Sequence, residues 1–304
     1  MFSRRIPSAE CSTWYAVSLT INVAVVSVNL LSIIVFIKNS NLRTRAMYLA
    51  INLTVVDMFV GGSATSFIVL LFLLYGCGAG STVFIFIAAR EWPPILLVFF
   101  MIDTWVSLTS LTSIAVISLD RMHATFRPFR HRNTEKWVYG VTIAGVWILS
   151  AMIFIPSPII RLYGNLHQQW QLVFAFYLWL SYGLLCLFVI FVSYTSIALK
   201  FWCGTRPPSH GAANRQRKLT VTLFIMTIVS LLLFLPYPVY TLSTDRSFNL
   251  TFLRLRLSFT LLHHTNSLVN PIIYTIRIPE FRRALLILFK RRQRRNAAIP
   301  LQAR

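Results

Sequence analysis

Three carboxylates in this chain fall where carboxylates are costly. Asp57 and Asp103 lie inside long apolar runs, and Asp120 ends one of them. A charge at membrane depth needs a cation, a proton or dense hydrogen bonding. Neither Asp57 nor Asp103 has a Lys or Arg at its own depth to supply the first. Asn29, Ser110 and Asn270 are uncharged companions that also lie inside apolar runs. Ser110 follows Asp103 by seven residues, so on a helix the two face nearly the same way. Two readings stay open for each of these groups: a hydrogen bond between helices, as buried polar residues often make, or a site for a ligand or ion. Asp103 and Asp120 are 17 residues apart in one helical pattern, about 25 Å at 1.5 Å per residue. Against a hydrocarbon core about 30 Å thick, they sit toward opposite faces. The stretch Leu96–Arg132 thus offers one polar feature to each side, which suits sensing on one side and reporting on the other. His263 and His264 are adjacent, so their side chains diverge and make a poor metal pair. No other pattern in the chain supports an enzyme.

The elements that must hold these residues follow from composition. Of 304 residues 56% are hydrophobic and 12% charged, with a mean hydropathy of +0.67. A soluble domain would carry about 25% charged residues. Basic residues outnumber acidic ones 29 to 8, but they fall between apolar runs rather than on an amphipathic surface, which argues against nucleic acid. Four cysteines are too few for a disulfide framework. Seven runs are long enough to span: about 14–37, 47–75, 94–119, 137–160, 170–199, 219–242 and 257–276. Arg4 and Arg5 precede the first, as in a signal peptide. That run is too long for a signal core and no small-residue cleavage site follows, so it is a membrane helix. No internal repeat is visible, which weighs against an ion-coupled transporter built on Asp57 and Asp103.

The expected fold is an all-α membrane protein: a seven-transmembrane helix bundle plus a short amphipathic eighth helix. Residues 1–13 form an extracellular N-terminus, 14–276 the transmembrane domain, and 277–304 a cytoplasmic amphipathic helix with a basic tail. Four alternate loop regions hold 22 of the 29 Lys and Arg, including all five lysines. The excess of basic residues marks the cytoplasmic side and leaves the N-terminus outside. After the seventh run, Pro279–Lys290 spaces apolar residues at helical intervals with basic residues between. That pattern fits a helix lying on anionic lipid. The tail from Arg291 onward is expected to be disordered.

At this point the residues resemble a family. Asn29, Asn52-Leu-Thr-Val-Val-Asp57, Ser118-Leu-Asp120-Arg121-Met122, Trp147, Tyr194, Phe234-Leu-Pro236-Tyr237, Asn266-Ser-Leu-Val-Asn270-Pro271-Ile-Ile-Tyr274 and Phe281 fall in order on successive helices. The chain resembles a rhodopsin-like (class A) G-protein-coupled receptor over nearly its whole length. The resemblance implies an extracellular ligand, a heterotrimeric G protein inside, arrestin and membrane lipids as partners, no nucleic acid, and a place in the plasma membrane. It implies a sodium site at Asp57, Ser110, Asn266 and Asn270, an allosteric ion rather than a cofactor. It implies an activation set of Asp120, Arg121, Tyr194, Lys218, Pro236, Pro271 and Tyr274. Asp103 matches the amine-binding aspartate of aminergic members, and Thr104, Phe234, Tyr237 and His264 complete the expected ligand pocket. A cationic amine or peptide is the expected ligand; a lipid or another small molecule is the alternative.

The departures from the family pattern are informative. Leu96 stands where a third-helix cysteine usually bonds the second outer loop, and residues 161–169 contain no Cys. Cys186 replaces the fifth-helix proline, and Gln216 stands where an acid could pair with Arg121. Cys11 and Cys77 remain on the outer side, either as a replacement bridge in an oxidising compartment or as two free thiols. Asn249-Leu-Thr251 is a candidate glycosylation site in the third outer loop.

Overall fold

The computed structural model describes residues 7–43, 47–77, 93–156, 168–203, 250–277 and 279–298, and the positions 221, 224, 225, 228, 229, 232, 233, 235 and 236 between them. Among these residues the backbone is helical or in short turns. The first helix is Ser8–Lys38, the second Tyr48–Tyr75, the third Pro94–Phe126, the fourth Lys136–Phe154 and the fifth Gln168–Cys203. A short helix, Pro128–Arg132, follows the third. Most described positions from 221 to 236 are helical and belong to the sixth run. The seventh helix is Leu250–Arg277 and the eighth Pro279–Ala298.

Five of these helices are long and apolar enough to cross a membrane by length and composition. The seventh is the most polar of the described membrane helices, because Arg254, Arg256, His263 and His264 stand in its first half. Outward-facing Leu, Ile, Val and Phe on all of them remain exposed, as a lipid-facing surface requires.

The helices outrun the apolar patterns that announce them. The first begins at Ser8, six residues before the run, and the seventh at Leu250, seven before it. Hydropathy marks the part buried in lipid, whereas backbone hydrogen bonding carries a helix on into water until something stops it. The third helix runs to Phe126 and stops before Pro128, which cannot continue it. The second stops at Gly76, whose φ of 57° lies in the positive region that glycine enters without a Cβ penalty. The eighth helix corrects the expectation for the tail. It does not end at Lys290 but continues to Ala298, through a stretch of Arg, Gln, Asn and Ala with no Gly or Pro to break it.

Polar residues join the helices at several levels. The second and third helices run antiparallel and meet at three polar contacts. These are Asn52 to Ser113 at 3.2 Å, Ser110 to Asp57 at 3.0 Å, and Ser63 to Asp103 at 2.9 Å. The third helix also meets the fourth through Thr109 and Ser150 at 2.7 Å, and the fifth through Thr112 and Tyr182 at 2.7 Å. It is the hub of the bundle. Gly61 brings the second helix against the first, where a Cβ would come within 2.7 Å of Val25 Cγ1. Small residues at such a point let two backbones approach closely. Phe281 of the eighth helix inserts between Phe36 and Tyr274, with ring centroids 5.2 and 6.0 Å away, and fixes that helix to the bundle.

Candidate functional site

Three polar centres lie along the third helix. The middle one is built on Asp57, which is 0% exposed. Ser110 Oγ and Ser267 Oγ donate to its Oδ1 at 3.0 and 2.9 Å, and Asn270 Nδ2 donates to Oδ2 at 2.6 Å. Asn29 Nδ2 reaches across from the first helix to the Ser267 carbonyl at 2.9 Å. Three helices thus meet at one carboxylate, and the first is tied in through Ser267. With no water in the bilayer core, such groups must satisfy one another. Of the expected sodium ligands, Ser110 and Asn270 touch Asp57. Ser267 joins them, a residue that sequence reasoning missed. Asn266 is buried, and its Oδ1 has no partner among the described residues. Asn270 Oδ1 is likewise left over beside the carboxylate its own Nδ2 holds. A carboxylate with spare amide oxygens is the donor chemistry that hard cations take.

The second centre, nearer the N-terminal end of the third helix, is built on Asp103, whose side chain is 22% exposed. Ser63 Oγ donates to its Oδ1 at 2.9 Å, and His264 Nε2 lies 3.7 Å from its Oδ2. One turn further in, His263 Nε2 and Ser107 Oγ are 3.2 Å apart. The two adjacent histidines both reach the third helix, where Asp103 and Ser107 are one turn apart. Asp103 is therefore not bare. Sequence reasoning sought only a Lys or Arg at its depth and overlooked Ser63 and the imidazole. Thr104, the next residue, turns back to bond the Phe100 carbonyl at 2.9 Å. Phe234 and Tyr237, the other expected pocket residues, lie outside the described residues.

The third centre closes the opposite end. Asp120 Oδ2 pairs with Arg121, whose side chain is 3% exposed. Asp120 Oδ1 meets His131 Nε2 of the short helix at 3.0 Å, and Tyr139 of the fourth helix lies 3.2 Å from the same nitrogen. Nothing in the sequence flagged His131, because a loop histidine carries no periodic signal. Tyr194 is buried on the fifth helix, with Phe224 of the sixth 5.1 Å away. Tyr274 is fully buried, three residues beyond Pro271 inside the seventh helix. Pro236 is half-buried at a helical position. Lys218 lies outside the described residues.

At the same end of the bundle as Asp103, Cys11 and Cys77 form a disulfide with Cα atoms 5.9 Å apart. The preceding residue, Glu10, accepts from Arg254 Nε and Nη2, both at 2.7 Å. Consecutive residues of the first helix therefore grip the end of the second helix and the start of the seventh. Asn249 lies outside the described residues. The other Asn-X-Thr triplet, at Asn52, is buried, with its side chain accepting from Trp147 Nε1 at 3.1 Å.

Comparison with known proteins agrees with this layout. The sequence profile described as 7 transmembrane receptor (rhodopsin family) matches residues 28–274. The adenosine receptor A3 of Ovis aries is 24% identical, over 91% of this chain and 90% of that protein. The substance-K receptor of Bos taurus is 24% identical over 94% of this chain and 77% of that protein. The neuromedin-K receptor of Rattus norvegicus is 26% identical over 91% of this chain and 63% of that protein.

Proposed function

This chain belongs to the rhodopsin family of seven-transmembrane receptors, a multi-pass class of membrane protein, and from that premise we propose that it is a plasma-membrane receptor. Its N-terminus and ligand pocket face outward, and it passes its signal to a heterotrimeric G protein inside. The pocket centres on Asp103, and the ligand is cationic. The observation that carries this reading is the setting of Asp103. It is a partly exposed carboxylate in the outer half of the bundle, with one oxygen bonded to Ser63 and the other 3.7 Å from His264. The second oxygen is open to a ligand ammonium, and charge-assisted hydrogen bonds are strong in a low-dielectric pocket.

Signalling is a population shift. An agonist must bind the active packing more tightly than the inactive one. Pro236 and Pro271 each remove a backbone N–H and so permit a bend. Arg121, released from Asp120, would meet Tyr194 and the G protein, and Lys218 and the basic inner loops attract acidic partner surfaces and lipid headgroups. Arrestin would read the same inner face. Asp57, with Ser110, Ser267, Asn270 and the spare amide oxygen of Asn266, would hold a sodium ion, whose charge would favour the inactive packing.

The nearness of His264 favours a second reading, in which its imidazole serves as the internal partner of Asp103 and the ligand is neutral. The names of the relatives do not choose between the two. Adenosine and substance K are what those proteins are named for, and they differ in chemistry. A panel of amines, peptides, nucleosides and lipids, read through a promiscuous G protein, tests both. Activation by a cationic compound, lost on Asp103→Asn, supports the first reading; activation by a neutral one, kept on Asp103→Asn, supports the second.

A further inference from the structure

His131 takes no part in the ligand or sodium chemistry, yet it occupies half of the carboxylate that holds Arg121. Asp120 is nearly buried, with its Oδ2 used by Arg121 and its Oδ1 by His131. An ionised carboxylate only accepts hydrogen bonds, so the proton between them sits on His131 Nε2, which donates to Asp120. Tyr139 OH, 3.2 Å from that nitrogen, takes a lesser share of the same N–H. This bond survives in both charge states of the ring, because the second proton would be added at Nδ1. Gaining charge therefore leaves His131 in place and puts a second cation on the carboxylate that pairs with Arg121.

We propose that His131 is a positioning residue for Arg121: neutral, it holds Asp120 in line for Arg121; protonated, it competes for Asp120 and repels Arg121, releasing it. Coupling would then rise as the pH on this face falls. The charged and titratable groups on the elements around the ring are mostly basic. The third helix brings Asp120, Arg121 and His123, whose ring centroid is 5.7 Å from that of His131. The short helix and the residue before it carry Arg127, Arg130 and Arg132. The fourth helix brings Tyr139, with Glu135 and Lys136 at its start. Asp120 is the one carboxylate in contact with His131 among the described residues, since Glu135 bonds Trp137 Nε1 at 2.6 Å. A histidine, unlike the arginines, changes charge near neutral pH.

The proposal rests on Arg121 acting as the coupling residue, so its test has an arm that needs no G protein. Full-length receptor in lipid nanodiscs, labelled with 15N-arginine, would be followed by NMR from about pH 7.8 to about pH 6.2, across the ordinary imidazole range. The expected result is a two- to fivefold loss of the slowly rotating, ion-paired Arg121 guanidinium signal in the parent, the size of effect ordinary for one charge at such a pair. In His131→Gln, which keeps a donor but not the titration, the signal should hold steady. His131→Asn serves if that variant folds poorly. An Arg121 signal that falls alike in parent and variants, or in neither, overturns the proposal. The second arm measures nucleotide exchange on purified heterotrimers over the same range. A pH response in the parent that His131→Gln removes completes the case. Flat exchange beside a titrating Arg121 signal would instead count against Arg121 as the coupling residue and leave the His131 contact standing.

Discussion

At the scale of single residues, the two intramembrane aspartates make different demands. Asp103 has one oxygen bonded to Ser63 and one open toward His264. If a ligand cation completes it, Asp103→Asn should weaken a cationic agonist at least tenfold while surface expression is kept. Losing one member of a buried charge pair typically costs on the order of 2–5 kcal/mol. Asp103→Glu should be milder. Competition binding on intact cells measures it, and unchanged affinity would move the ligand away from this carboxylate. Asp57 is already held by three donors. Raising Na⁺ should lower agonist affinity in the parent, and Asp57→Asn should abolish that dependence. Ser267→Ala should weaken it, since Ser267 shares Oδ1 with Ser110. An equal sodium response in parent and Asp57→Asn would refute the assignment.

At the scale of elements, the contact between the first and second helices depends on a missing atom. A Cβ at Gly61 would sit 2.7 Å from Val25 Cγ1 and 3.0 Å from the Asn22 carbonyl. Gly61→Ala should therefore destabilise the bundle by about 1–3 kcal/mol, the usual cost of overpacking. Val25→Ala should restore part of the loss, because it removes the atom in the way. Thermal unfolding of purified receptor in lipid nanodiscs reads this directly. Additive losses in the double variant would show that the two helices do not meet there. Gly62, one residue on, faces open space, so Gly62→Ala should hold the midpoint or raise it slightly, as Ala favours a helix over Gly, and serves as the control.

At the scale of the whole molecule, the two ends of the bundle are tied differently. The end that carries Arg121 is held by aromatic packing of Phe281, Phe36 and Tyr274 and by Lys200 donating to the Thr125 carbonyl. The opposite end is held by a covalent bond and an exposed ion pair, both made by the start of the first helix. Peptide mapping of surface-expressed receptor without reduction should recover Cys11 and Cys77 in one linked fragment. Cys11→Ser should lower stability by about 2–4 kcal/mol, the usual range for a bridge closing a long loop. Glu10→Gln should cost far less, since an exposed pair is screened by water. Two free thiols in that map would remove the bridge from the account.

The sequence by itself determined where the membrane lies and which residues are stranded in it. Hydropathy is local and needs no partner, so the runs and the stranded Asp57 and Asp103 could be read residue by residue. The amphipathic eighth helix was legible for the same reason, though not its length, because nothing apolar marks its last two turns. What only the tertiary structure decided is who satisfies whom. A serine every few residues is ordinary in membrane helices, so the rotation of each helix had to be known before Ser63 could be assigned to Asp103 and Ser267 to Asp57. His131 reaches Asp120 because a proline stops the third helix and the chain turns back beneath it, and Glu10 reaches Arg254 because two helices extend past the lipid. Those contacts depend on how helices pack against one another, and packing depends on every neighbour at once rather than on any one stretch of chain.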